Sequence, residues 1–350
     1  EYLFRDAPAH QHRDGRKQRL TVVTVTVFGR QLHGDTERAA EMDALLAELW
    51  WHRGDSARSS EHLERARALV EDLRPSRSKA HVLSQVSRYR MLAGANEEAV
   101  RIGGEALAMA EDLGLLELQA HALVNIGMAR TSMGDAAGLE DLERAIEVAS
   151  TAGSSDVARA SHNLAVSVWT LGDLRRGHEL TERAVAAASR LGLASFLRFS
   201  RNVEVWHRFR IGRWDEALGL TEEFLAACEA GESHYHEGGM RLLRARARLA
   251  RDDVEGALDE VRKIVPLVQS TGDPQQRVPW LSCCARLLVE AGRPDEARPA
   301  AQGALRDEPL AWGLCDLAFV AEELGCESKR AEELEHGAET TWTDAALVVL

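Results

Sequence analysis

Three places in the 350-residue sequence bring together side chains that do chemistry in other proteins. His234, His236 and Glu237, in the run HYHE, are all zinc-ligand types. Residues two apart on a helix point to different sides, so the run makes a poor clamp and reads as a polar loop between repeats. Cys283 and Cys284 are adjacent in an apolar stretch, where a free thiol fills space like a small hydrophobe. The run GDSARSS at 54–60 offers serine hydroxyls, but it falls at a turn, where N-capping explains it. No GxxxxGK[ST] loop, GxGxxG or HExxH run occurs, and no nucleophile–base–acid set can be assigned. The expectation is a chain with no catalytic residues, no metal and no cofactor, which should hydrolyse neither ATP nor cyclic nucleotides.

Composition restricts the partners. Lys and Arg number 43 against 56 Asp and Glu, giving a net charge of −13, and 45% of residues are hydrophobic. That is apolar enough to fold and too acidic for the basic face that nucleic acid requires. No apolar run reaches the roughly 18 residues of a membrane-spanning helix. Five cysteines, none in a CxxC pair, fit a reduced cytoplasmic setting.

The elements that would position any site recur along the chain. Gly54, Gly94, Gly134, Gly172, Gly212, Asp252, Gly292 and Gly325 each follow an apolar helical stretch, at spacings of 40, 40, 38, 40, 40, 40 and 33. Small residues stand seven before most turns (Ala47, Ser87, Gly127, Ala165, Ala245, Ala285, Ala318) and five after them (Ser59, Ala99, Gly177, Ala217, Ala257, Ala297). Glycine accepts the left-handed conformation that ends a helix, and small residues let two helix axes approach. Each period is therefore an antiparallel helix pair that cannot bury its apolar stripe alone and must stack on its neighbours. About eight pairs result.

These residues resemble the tetratricopeptide repeat, best in HNLAVSVWTLGDLRRGHELTERAVAAA (162–188) and EVWHRFRIGRWDEALGLTEEFLAA (204–227). The family unit is shorter, near 34 residues, so longer helices are implied here. The stretch 78–149 is similar to the C-terminal repeat region of bacterial cyclase- or ATPase-linked and LuxR/MalT-like signalling regulators. The resemblance implies an all-α, right-handed α-solenoid over 35–350, with 1–34, including the strand-like TVVTVTVFG, as a tail or the remnant of a preceding domain. It also implies that the first helix of each pair lines a concave groove.

The family's inward positions map onto Arg88, His121, Arg159, His162, Trp169, Asn202, Trp206 and Arg246, with almost no acids among them. Arginine beside tryptophan suits recognition of an acidic or aromatic peptide. Protonation of His121 and His162 below about pH 6.5 should strengthen such binding. The function implied is a non-catalytic protein–protein interaction or regulatory scaffold module, part of a larger signalling protein. The alternative is the peptide- or ligand-sensing domain of a transcriptional regulator. Direct contact with nucleic acid or membrane is not expected.

Overall fold

The computed structural model describes residues 35–51, 55–231, 234, 236–270 and 274–304. The tail expected over 1–34 and the eighth pair around Ala318 and Gly325 lie outside these residues. The described chain forms fourteen helices and no strand. They are α1 Thr36–Trp51, α2 Ser56–Val70, α3 Arg77–Leu92, α4 Asn96–Asp112, α5 Leu116–Ser132, α6 Ala137–Ala152 and α7 Asp156–Thr170, followed by α8 Leu174–Arg190, α9 Ala194–Arg210, α10 Trp214–Glu229, α11 Glu237–Leu249, α12 Val254–Ser270, α13 Pro274–Glu290 and α14 Pro294–Ala304. Odd-numbered helices open each pair and even-numbered helices close it. The chain divides into two compact units between Ser200 and Arg201, within α9.

One turn chemistry makes most of the hairpins. Gly94, Gly134, Gly172, Gly212 and Gly292 all have positive φ, and Asp252 takes the same conformation at φ 62°. After each turn an amide reaches back five residues, as from Ala95 to Arg90 O (2.9 Å), Asp135 to Arg130 O (2.9 Å) and Asp253 to Arg248 O (2.9 Å). That bond satisfies a carbonyl the helix end would otherwise leave open. Helix starts are capped where the sequence allows it. Asp55, Ser76 and Asp173 accept from the amides of Arg58, Lys79 and Arg176.

The small residues mark where helices of a pair cross. Ala47, Ala99, Ala165, Ala245, Ala285 and Ala297 have no exposed surface. The third pair uses Gly127 and Gly138. A Cβ added to Gly138 would come within 2.5 Å of the Gly127 carbonyl, so α5 and α6 meet backbone to backbone. Gly138 follows its turn by four residues and not five, because this pair is one residue short.

In the first unit, α1 packs on α3, α3 on α5 and α5 on α7, so the opening helices line one side. In the second unit α11 packs on α13 in the same way. The second unit also holds a buried ionic layer. Glu260 on α12, 1% exposed, accepts from Arg241 (3.2 Å), Arg244 (2.9 Å) and Arg248 (3.3 Å). Glu237 and Glu222 bind Arg241 and Arg244 from the other side, at 2.9 and 2.6 Å. Arg241, Arg244 and Arg248 are spaced i, i+3 and i+7, which places them on one face of α11.

Candidate functional site

In the first unit the structure ties two of the predicted residues, His121 and Arg159, together through Ser84 and Asn125. Ser84 Oγ on α3 lies 2.6 Å from His121 Nδ1 on α5, and Asn125 Nδ2 donates to the Ser84 carbonyl at 2.9 Å. Arg159 on α7 donates to Asn125 Oδ1 (2.9 Å), the His121 carbonyl (3.3 Å) and Asp156 Oδ1 (2.9 Å). Three successive opening helices are thus tied by side chains, with Arg159 using three of its five N–H donors, one on each nitrogen. Burial holds the Arg159 pKa below its usual value, although Asp156 works to raise it. For Asp156, burial is outweighed by Arg159 and its carboxyl sits below the normal range.

Arg88 differs from Arg159. Its guanidinium stands 3.9 Å from Glu48 and 5.7 Å from the centre of the Tyr89 ring, and its side chain is 20% exposed. Among the described residues it makes no hydrogen bond. Burial works against its charge, but Tyr89, Glu48 and Asp156 outweigh it and raise its pKa.

The expectation of a groove with its acids elsewhere needs correction. Glu48 and Asp156 stand among the arginines, so the first-unit lining is balanced in charge. Asp156 lies in the first turn of α7, three residues before Arg159, a spacing that pairs them on one helix face. The expected histidine switch also needs correction. Burial lowers the His162 pKa from 6.5 to about 4. His121 is held well below 6.5 by burial and then by Arg159. Both are therefore held in the neutral form at pH 6.5.

His162 is packed, not solvated. Its ring lies 5.8 Å from Phe196 and 5.0 Å from Phe199, themselves stacked at 5.9 Å. Trp169, half-buried near the end of α7, stands over Gly177, where an added Cβ would come within 3.0 Å of the tryptophan Cβ. It therefore helps to set the close approach of α7 and α8. Asn202, Trp206 and Arg246 belong to the second unit. Trp206 is half-buried and edge-on to Phe209 at 6.1 Å. The Asn202 side-chain oxygen is buried without a hydrogen-bond partner among the described residues. Arg246 stands close enough to Arg210 to lower the latter's pKa, after burial.

The other groups singled out in the sequence resolve simply. Cys283 and Cys284 are buried on α13. His234 and His236 lie between α10 and α11, where the His236 amide donates to His234 Nδ1 at 3.1 Å. Among the described residues no group of three His, Cys, Asp or Glu is placed to hold a metal, and no helix is long and apolar enough to cross a membrane.

No protein-family model matches the chain, and no curated protein matches its sequence. Solved structures do. The Rap protein complexed with competence and sporulation factor is 14% identical with a TM-score of 0.56, over 87% of this chain and 76% of that one. A signal-transduction ATPase with a tetratricopeptide repeat sensor from Pyrococcus horikoshii is 15% identical, TM-score 0.40, over 96% of this chain and 48% of that one. Putative kinesin light chain repeats from Podosopora anserina are 20% identical, TM-score 0.43, over 55% and 95%. At such identities the likeness concerns fold, and there it agrees with seven described helix pairs, a period near forty and glycine-closed turns. The chain has the fold of a tetratricopeptide-type array of helix pairs.

Proposed function

We propose that the chain is a non-catalytic interaction module of a larger signalling protein, and that its opening-helix side takes an acidic or aromatic peptide segment. The observation that carries this reading is Arg88. Its guanidinium, four-fifths buried, is paired with Glu48 at 3.9 Å but makes no hydrogen bond among the described residues, so its five donors remain available to a further group. A carboxylate matches its planar fork. Arg159 then acts as a positioning residue, since each of its three nitrogens already donates within the lining. His121 keeps the same tie in place. Trp169, Asn202, Trp206 and Arg246 supply aromatic and polar surface within their own units, while His162 belongs to the packed interior. The Rap structure, complexed with competence and sporulation factor, lends the reading support by analogy of fold. The net charge of −13 argues against nucleic acid as the partner.

The test uses three fluorescein-labelled dodecapeptides containing tryptophan with glutamate, glutamine or lysine. Fluorescence anisotropy should rank them acidic, neutral, basic in order of affinity. Arg88→Gln should weaken the acidic peptide by roughly ten- to a hundred-fold, and added salt should weaken it further. If none of the three binds, or if the basic peptide binds as well as the acidic one, the reading fails.

A further inference from the structure

The side-chain tie across the first unit fixes the tautomer of a histidine. Asn125 Oδ1 accepts from Arg159 (2.9 Å) and Asn125 Nδ2 donates to the Ser84 carbonyl (2.9 Å), so the amide lies one way round. That brings Nδ2 to 3.4 Å from His121 Nδ1, while Ser84 Oγ stands 2.6 Å from the same nitrogen. Nδ1 is therefore the acceptor. Burial and then Arg159 keep the ring neutral, so its proton sits on Nε2. That N–H makes no hydrogen bond among the described residues.

Three neighbours also have capacity left. The Arg88 guanidinium makes no hydrogen bond among the described residues. Asp156 gives Oδ1 to Arg159 at 2.9 Å and leaves Oδ2 without a donor among them. The Tyr89 hydroxyl, on a side chain only 2% exposed, has no partner there either. These groups lie close together although α5 separates α3 from α7. Asp156 is among the charges that raise the Arg88 pKa against burial. Behind burial, Arg88, Glu48 and Arg159 all act on Tyr89. Yet Arg88 and Asp156 form no ion pair. Opposite charges that feel each other without touching, with His121 on the helix between them, leave donors at one end of a gap and an acceptor at the other.

We propose that this gap takes a carboxylate and an ammonium group borne a few bonds apart by one ligand residue, as at the acidic amino terminus of a peptide or on a free acidic amino acid. The carboxylate accepts from Arg88 and from His121 Nε2–H, and the ammonium donates to Asp156 Oδ2. A lone carboxylate at Arg88 would stand against the negative charges of Glu48 and Asp156. An accompanying ammonium turns that repulsion into attraction. The inference rests on the reading of Arg88 as a carboxylate anchor, and adds a second charge which that reading does not require.

The test uses two dodecapeptides labelled with fluorescein at the carboxyl end. Both begin with glutamate and contain tryptophan and no other charged residue. One has a free amino terminus and the other is acetylated. By anisotropy the free-amine peptide should bind about ten-fold more tightly, as for one charged hydrogen bond. Asp156→Asn keeps an oxygen for Arg159 and can replace the open one with an amide nitrogen. It should bring the two peptides to equal affinity while holding the acetylated one no more weakly than the native chain does, which separates a lost ammonium site from a lost fold. Competition by unlabelled glutamate tells the two sources apart: displacement assigns the free amino acid, and its absence assigns the peptide end. A preference for the free amine that survives Asp156→Asn overturns the inference. A native chain that binds the internal-glutamate peptide above but treats these two alike sinks the inference alone. One that binds no glutamate peptide at all sinks it together with the proposed function.

Discussion

At the scale of single residues, two buried groups make stability depend on pH and charge. His162 has a folded-state pKa near 4 against 6.5 when exposed. The unfolded chain therefore takes up the proton first as pH falls, and stability is lost between about pH 6.5 and 4. The full effect is up to about 3 kcal/mol. His162→Leu should flatten this part of the profile, as read by urea melts at pH 7 and pH 4.5. An unchanged slope would show that His162 is solvated. Glu260 gives a prediction of opposite kind. Removing its charge leaves three guanidiniums around an empty centre, and breaking a buried pair from one side costs about 3–5 kcal/mol. Glu260→Leu should destabilise the second unit by that order in thermal melts. A loss under 1 kcal/mol would mean that water reaches the layer.

At the scale of elements, the glycines separate packing from propensity. Gly138→Ala on α6 meets the Gly127 carbonyl and should cost about 1–3 kcal/mol. Gly104→Ala on α4 meets nothing within 4 Å and should stabilise by about 0.5–1 kcal/mol. Chemical denaturation of both variants tests the crossing geometry directly. These crossings were legible in the sequence because one constraint, close approach beside a tight turn, recurs at fixed spacing. Ala99 and Ala297 lie buried as the pattern implies. The lining was less legible. Asp156 and Glu48 escaped notice because positions inherited from a family template omit the first turn of α7 and the neighbouring helix α1. A repeated ion pair was also overlooked. Arg90, Arg130, Arg208 and Arg248 each stand four before their turns and reach an acid on the next helix: Glu98, Asp141, Glu216 and Glu260. Trp280 was missed for a different reason. Its ring packs over Gly238 on the neighbouring opening helix α11, a contact between residues some forty apart that no repeat position marks.

At the scale of the whole molecule, the array is a chain of neighbours, and its stability is a sum of local terms. Damage should stay local. Hydrogen exchange on Glu260→Leu should quicken in α10, α11 and α12 while α3 to α6 keep their native protection. Uniform loss of protection would show that the two units fold as one body. The recurring turn has a further consequence, for editing the chain. Met133–Gly134 and Leu171–Gly172 end their helices alike, with φ of 79° and 91° at the glycines. Asp135 and Asp173 supply the same back-reaching amide, to Arg130 and Val168. Excising residues 134–171 would therefore splice α5 directly onto α8 through a turn the chain already knows how to make. Gly127 would then face Gly177 across the new crossing, both without side chains to clash. The shortened chain should fold as an array with one period removed, and cutting at any point between these turns should not.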